Sequence, residues 1–174
     1  TTLVDFQDDG KMAQVLSAPL ETQFLVAGSG GCGFIASISD MVGRNKAGKG
    51  FISLDRGERP VLPSPVGAGD TPSARVAVIT KSGRLLIFPL RELKVMSKGK
   101  GLMLIDLTKT DEVAGLVVAG NEKLLIGGIG RGGKLVEQSL SLREQTTFTS
   151  GRARKGHEIP FKLKPLSIGV ESGQ

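Results

Sequence analysis

Residues 43–50, GRNKAGKG, come closest in this chain to a site for chemistry. They read G-x-x-x-x-G-K, a phosphate-binding P-loop that lacks its last residue. A P-loop requires a Ser or Thr after the Lys to hold Mg²⁺, and a helix after the loop. Here Gly50 follows Lys49, and the next residues, FISL, are typical of a strand. The pattern therefore argues against a nucleotide hydrolase.

Other side chains that carry out catalysis or bind metals are scarce. The chain has one Cys, one His and no Tyr, so a Cys/His metal cluster is not possible. A Ser-His-Asp triad would have to use His157, which lies in a basic Gly-rich stretch, RKGHE. The single Cys32 excludes an internal disulfide and fits a reducing compartment. We therefore expect no catalysis by this chain alone, no metal and no cofactor.

The charge is strongly uneven along the chain. The net charge is +6 over 174 residues. Residues 1–80 hold 7 Lys+Arg against 8 Asp+Glu, a balance of −1, whereas residues 81–174 hold 16 against 9, a balance of +7. A basic half on a globular protein favours an anionic partner, most commonly nucleic acid. No apolar run approaches the roughly 20 residues of a membrane helix, so we expect a cytoplasmic protein without a membrane partner.

A repeat of about 50 residues organises the chain. Three segments, 24–39, 76–90 and 124–140, each read as an apolar β-rich run, a glycine turn and a second β-rich run, which is typical of a hairpin. The predicted turn glycines Gly33, Gly83 and Gly133 are 50 residues apart. A basic Gly element and another strand follow each hairpin: GKG at 48–50, GKG at 99–101 and RKG at 154–156.

These units predict an all-β, propeller-like fold. Four short strands in about 50 residues match the size of a propeller blade. We expect one domain over residues 1–174, with repeats at about 7–55, 56–107 and 108–165 and a tail at 166–174. Three blades are fewer than the four to eight of a closed propeller, so a partial ring and missing upstream blades are expected.

The recurring basic loops predict a surface for phosphates. Glycines let the backbone approach a ligand closely, and the Lys and Arg side chains add charge. One such loop per blade suits duplex DNA that is bent around a rim through sequence-independent, salt-sensitive contacts. Surface turns that merely tolerate Gly and Lys remain an alternative. The predicted contacts are Arg44, Lys46, Lys49, Lys81, Arg84, Lys98, Lys100, Arg131, Lys134, Arg152, Arg154 and Lys155.

Several of these motifs resemble a known family. Phe34 after Gly33, GRNKAGKG, SGRLLIFPL at 82–90 and SKGKG at 97–101 are similar to the C-terminal domains of the A subunits of bacterial topoisomerase IV and DNA gyrase. The gyrase domain carries a Q-R-R-G-G-K-G box. Residues 44–50 keep its last Gly-Lys-Gly but lose the Gln, one Arg and one Gly, so the resemblance is stronger to topoisomerase IV. Arg131-Gly132-Gly133-Lys134 also spells RGGK, but at a hairpin turn.

The resemblance implies a β-pinwheel, in which neighbouring blades exchange a strand, about three four-stranded antiparallel blades here. It also implies a non-catalytic domain that binds and bends duplex DNA on its outer rim and guides substrate selection in DNA topology and chromosome segregation. The implied partners are the rest of the topoisomerase IV A subunit, together with its ATPase partner subunit, in the bacterial cytoplasm at the nucleoid. The family's cleavage tyrosine lies in another domain, in agreement with the absence of Tyr here.

Two other interpretations stay open on the residues. In the first, the rim or face of the propeller binds an acidic partner protein, with negligible DNA affinity at moderate salt. In the second, the chain is an NTPase or other enzyme, with nucleotide binding that depends on Lys49.

Overall fold

Three antiparallel sheets follow one another along the chain, which confirms the all-β prediction. The computed structural model describes residues 12, 14–45, 47–67 and 72–171. Two of the sheets have four strands and the third has three. Within these residues no helix is long and apolar enough to cross a membrane. We call the sheets blade 1, blade 2 and blade 3 in chain order.

Blade 1 is built on the first predicted hairpin. Strand β1 (Gln23–Ala27) pairs with β2 (Cys32–Ser37), and a one-turn helix, α1 (Ile38–Met41), follows. The chain returns in β3 (Ser64–Pro65), which pairs with the other edge of β1.

Blade 2 repeats this plan with longer strands. Strand β4 (Arg75–Thr80) pairs with β5 (Arg84–Pro89), and a 3₁₀ turn (Leu90–Glu92) follows. After β6 (Leu102–Met103), strand β7 (Val113–Ala119) returns to pair with β4.

Blade 3 contains the third predicted hairpin and the last strand. Its β8 pairs with β9 on one side and with β11 on the other. The elements are β8 (Leu124–Ile129), a 3₁₀ turn (Arg131–Gly133), β9 (Leu135–Leu140), α2 (Leu142–Gln145), a second 3₁₀ turn (Thr146–Phe148), β10 (His157–Glu158) and β11 (Lys164–Val170).

Neighbouring blades exchange a short strand. Strand β6 follows the blade 2 hairpin but pairs with β2 of blade 1, so that the sheet order is β3-β1-β2-β6. Strand β10 follows the blade 3 hairpin but pairs with β5 of blade 2, in the order β10-β5-β4-β7. These crossings are the strand exchange of a β-pinwheel.

The core lies between the blades, which explains the near-continuous apolar runs of β4 and β5. Successive side chains of a strand point to opposite faces. Val76 and Val78 pack in the cluster shared with blade 1, whereas Ala77 and Ile79 pack in the cluster shared with blade 3. Both faces of blade 2 are therefore buried, so polar and apolar residues do not alternate in the sequences of β4 and β5.

One predicted turn glycine lies elsewhere. Gly33 is in β2, opposite Ala27, and the turn is closed by Gly31, whose N–H donates to the carbonyl oxygen of Gly28 at 3.1 Å. Gly83 and Gly133 close their turns by the same i to i−3 bond. Gly31 and Gly83 have φ of +86° and +91°, a region that favours glycine. The prediction for Gly33 was wrong because GSGGCG offers four glycines near the turn.

Two other segments differ from the sequence-based expectations. Residues 166–170 of the expected tail belong to β11, and residues 172–174 lie outside the described part. The strand expected at 51–54 is reduced to one parallel bridge between Ile52 and Gly99. Short exchanged strands contain too few residues to show a hydrophobic period, so the sequence does not indicate where they begin and end.

Candidate nucleic-acid interface

Two of the three basic Gly elements form loops at the outer edge of a blade. We call residues 43–50, 97–101 and 151–156 rim loops 1, 2 and 3. Rim loop 2 begins beside β2, where the N–H of Met96 donates to the carbonyl oxygen of Ile35 at 2.8 Å. It ends at β6, which pairs with the same strand, β2. Rim loop 3 is held against β5 in the same way. It begins after Ser150, whose N–H donates to the carbonyl oxygen of Ile87 at 2.9 Å, and it ends at β10, which pairs with β5.

Glycine is required where rim loops 2 and 3 meet the neighbouring strand. Gly101 has φ of +82°, and a Cβ there would lie 2.2 Å from the carbonyl oxygen of Gly33. Gly156 has φ of +68°, and its Cβ would lie 2.6 Å from the oxygen of Leu85. The close approach of two backbones explains why a glycine ends both loops.

The structural register shifts rim loop 1 by two residues from the sequence alignment. Gly48, with φ of +80°, corresponds to Gly101 and Gly156. In all three cases an apolar residue that packs in a core cluster follows three positions later, namely Phe51, Leu104 and Ile159. The matching GKG letters of 48–50 and 99–101 are therefore not structurally equivalent.

Backbone hydrogen bonds place successive rim loops side by side. The N–H of Ser53, just after rim loop 1, donates to the carbonyl oxygen of Gly99 in rim loop 2 at 2.9 Å. The N–H of Asp106, after rim loop 2, donates to the oxygen of Arg154 in rim loop 3 at 3.0 Å. The three loops thus form a continuous row on the outer side of the blades.

Six of the sequence-predicted contacts are exposed and make no ion pair or side-chain hydrogen bond with the described residues. Three blades contribute to this set. Four of the six lie in rim loops 1 to 3, namely Arg44, Lys98, Arg154 and Lys155. The other two, Arg131 and Lys134, lie at the blade 3 hairpin turn. Lys46, which was predicted in rim loop 1, lies outside the described residues.

Five others have partners within the protein. Lys49 Nζ donates to the carbonyl oxygen of Asp40 at 2.7 Å, and Lys81 Nζ lies 2.6 Å from Glu112 Oε2. Arg84 Nη1 donates to the oxygen of Gly156 at 3.0 Å, and Arg152 Nη1 to that of Met103 at 2.6 Å. Lys100 pairs with Asp55, and this hydrogen bond raises the pKa of Lys100.

Four of these five residues take part in contacts between blades, whereas Lys49 bonds within blade 1. Arg84 of β5 holds the end of rim loop 3, and Arg152 of rim loop 3 holds β6. Glu112 accepts from Lys81 and, at 2.8 Å, from Arg59 of blade 1, and the two hydrogen bonds lower the pKa of Glu112. The basic residues therefore divide into a group with partners inside the protein, most of which connect blades, and a group that is available to a ligand.

The sequence reasoning missed Lys94, which is exposed three residues before rim loop 2. Its carbonyl oxygen accepts from the Ile35 N–H at 3.0 Å, which fixes the backbone at the outer edge of blade 1. The signal was present in the sequence, because Arg91 and Lys94 extend the basic run of Lys98 and Lys100 toward the N-terminus.

Beside rim loop 3 the surface has a cleft of about 360 Å³. It is lined by Leu86 of β5 and by Ser150, Arg154, Lys155 and His157. Cationic and hydroxyl groups along an open groove can donate hydrogen bonds to a phosphate oxygen.

Comparisons with known proteins agree with this architecture. The family model of the DNA gyrase C-terminal domain, a beta-propeller, matches residues 74–119, which comprise blade 2 from β4 to β7. The A subunit of DNA topoisomerase 4 from Neisseria gonorrhoeae is 35% identical over 171 residues, covering 96% of this chain and 22% of the relative. The chain thus spans about a fifth of the length of that curated relative.

Solved structures show the same fold. The C-terminal domain of ParC from E. coli superposes with a TM-score of 0.83 at 25% identity, over 98% of this chain and 69% of that one. The DNA gyrase A C-terminal domain superposes with a TM-score of 0.74 at 15% identity, over 98% and 57%. By fold and by sequence, the chain belongs to the family of C-terminal β-pinwheel domains of the A subunits of topoisomerase IV and DNA gyrase.

Proposed function

We propose that this domain binds and bends duplex DNA through phosphate contacts from the rim loops, without reading base sequence. The observation that supports this most directly is the continuous row of three rim loops with exposed cationic side chains. A row of charges at the edges of successive blades can follow a curved phosphate backbone. The hairpin-turn residues Arg131 and Lys134 add charge on blade 3.

The domain would act as a non-catalytic part of the A subunit of a type II topoisomerase, where it would influence which DNA the enzyme engages. The partners that we propose are the rest of that subunit, together with an ATPase partner subunit, in the bacterial cytoplasm and at the nucleoid. Strand cleavage and ATP hydrolysis would belong to those other parts. The loss of three residues of the gyrase box in rim loop 1 favours bending over extensive wrapping.

The test is DNA binding across a salt series with duplexes of about 30 and 150 base pairs. We expect tighter binding to the longer duplex and a steep loss of affinity with salt. The triple variant Lys98→Glu, Arg154→Glu, Lys155→Glu should flatten the salt slope by roughly 2–3, about one for each lost phosphate contact. Lys123→Glu is the matched control, because Lys123 pairs with Glu171 away from the rim loops.

An unchanged salt slope in the triple variant would overturn the assignment of the rim loops. No DNA binding at about 50 mM salt would overturn autonomous DNA binding and favour a propeller that recognises an acidic protein.

A further inference from the structure

Rim loops 2 and 3 have the same backbone plan and each carries a lysine at the same place. Lys100 directly precedes Gly101, and Lys155 directly precedes Gly156. Both glycines have a positive φ and lead into an exchanged strand, which is β6 after the first and β10 after the second. The two lysines are therefore equivalent positions of neighbouring blades.

Backbone hydrogen bonds show which segment runs past each lysine. Gly99, directly before Lys100, accepts from the Ser53 N–H at 2.9 Å. Arg154, directly before Lys155, accepts from the Asp106 N–H at 3.0 Å. The segment after Ser53 thus passes rim loop 2 as the segment after Asp106 passes rim loop 3.

Both segments enter a turn at the second residue after this bond. The carbonyl oxygen of Asp55 accepts from the N–H of Glu58 at 3.0 Å, and that of Thr108 accepts from the N–H of Asp111 at 3.1 Å. Asp55 and Thr108 are therefore structurally equivalent, although one is an acid and the other is neutral.

This difference decides the charge that each lysine presents. The Asp55 carboxylate pairs with Lys100. Lys155 is exposed and makes no ion pair with the described residues. The carboxylates nearest to it along the two segments do not pair with it either. Asp106 makes no ion pair with the described residues, and Glu158 Oε1 lies 3.9 Å from Arg84 Nη2.

Rim loop 3 is also held in a shape that suits an anion. The N–H of Arg152 donates to Glu92 Oε2 at 2.8 Å. Ala153 has a φ of +61°, and no other non-glycine residue of the described part has a positive φ. Such a backbone is costly and persists where its surroundings fix it, often at a binding site. The next two residues, Arg154 and Lys155, line the cleft of about 360 Å³.

A phosphate meets competition at rim loop 2 alone of these two loops. A carboxylate and a phosphate oxygen accept from the same ammonium group. The side chains of the pair are 41% exposed at Lys100 and 67% exposed at Asp55. An exposed ion pair is weak, so a phosphate can displace the carboxylate, but the displacement costs affinity.

We propose that duplex DNA engages rim loop 3 more tightly than rim loop 2, and that the pair of positions 55 and 108 sets this order. Asp55 competes with the DNA phosphate for Lys100, whereas Thr108 leaves Lys155 available. The inference rests on the proposed function, since it ranks two loops of the same DNA surface.

The test is the affinity of the 174-residue chain for a duplex of about 12 base pairs at roughly 50 mM salt. Lys155→Ala should weaken binding about threefold or more, and Lys100→Ala less than about 1.5-fold. In a chain that carries Asp55→Asn, Lys100→Ala should also weaken binding about threefold, because its lysine is then available to the phosphate.

The converse substitution transfers the competitor to rim loop 3. In a chain that carries Thr108→Asp, the loss caused by Lys155→Ala should shrink below about 1.5-fold. Thr110→Asp is the matched control, because it adds the same charge two residues later at an equally exposed threonine, and there the loss should remain about threefold. Circular dichroism verifies the fold of each variant.

The outcomes separate this inference from the proposed function. If Lys100→Ala and Lys155→Ala weaken binding equally in the unmodified chain, the order of the loops is wrong while the DNA surface stands. If Thr108→Asp and Thr110→Asp reduce the effect of Lys155→Ala equally, position 108 has no specific role and the inference is overturned. Absence of DNA binding by every chain would overturn the proposed function and this inference together.

Discussion

The N–H of Ser53 donates a 2.9 Å hydrogen bond to the carbonyl oxygen of Gly99, which joins the segment after rim loop 1 to rim loop 2. Asp106 and Arg154 repeat this bond between rim loops 2 and 3. The spacing of the basic loops is therefore fixed by the backbone and does not depend on their long side chains. A ligand that contacts all three loops meets a preorganised surface, which lowers the entropy lost on binding.

Removal of the partner of Lys100 should strengthen DNA binding. Asp55 pairs with Lys100 at the rim and offsets its charge. Asp55→Asn should raise the affinity for duplex DNA by about two- to fivefold at low salt, and the gain should shrink as salt screens the charges. Glu171→Gln makes the same charge change at Lys123, and an equal gain in that variant would contradict a specific role of the rim.

Gly101→Ala should destabilise the fold. The new Cβ would lie 2.2 Å from the oxygen of Gly33 at a φ of +82°, so that the exchanged strand must move. We expect a loss of at least about 2 kcal/mol in the free energy of unfolding, measured with urea. Gly151→Ala in rim loop 3, where the Cβ meets no atom within 4 Å, should leave the stability within about 0.5 kcal/mol. An equal loss of stability in the two variants would show that the close approach of Gly101 to Gly33 does not determine the stability of the fold.

Arg152 and Arg154 should separate stability from DNA binding. Arg152→Ala removes the 2.6 Å donor of the exposed Met103 oxygen and should lower the free energy of unfolding by about 0.5–1.5 kcal/mol. Arg154→Ala removes an exposed side chain and should instead reduce the salt slope of DNA binding by about one. Urea unfolding and a salt titration of both variants measure the two effects. A lower salt slope in Arg152→Ala together with a lower stability in Arg154→Ala would contradict this assignment.

Glu112 should contribute a pH-dependent part of the stability. Hydrogen bonds from Lys81 and Arg59 lower the pKa of Glu112 below its ordinary value of 4.5. A lowered pKa in the folded state adds stability above pH 4.5, and this stability is lost as the pH falls through the folded value. Glu112→Gln should therefore be less stable than the unmodified chain at neutral pH, and the difference should disappear in acid.

Urea unfolding at a series of pH values measures this difference. Glu137→Gln is the control, because Glu137 makes no ion pair with the described residues. A difference for Glu112→Gln that is constant with pH would contradict the ionic origin of the effect.

The sequence by itself determined the three hairpins, the all-β class and the recurrence of basic loops. Apolar runs rich in β-branched residues on both sides of a glycine turn have few other structural solutions, and residues 76–90 form β4 and β5 as predicted. The positions of Gly83 and Gly133 in their turns were also correct, because the second strand of each hairpin begins within two residues of the glycine.

Only the tertiary structure decided which blade each short strand joins and which cations have partners. Strands β6 and β10 have two residues each, too few to show a period, and their pairing depends on backbone approach at Gly101 and Gly156. Lys98 and Lys100 are two residues apart in one motif, yet Lys100 pairs with Asp55, which lies 45 residues earlier, and Lys98 is exposed. Such pairings depend on distances through space, which local sequence does not contain.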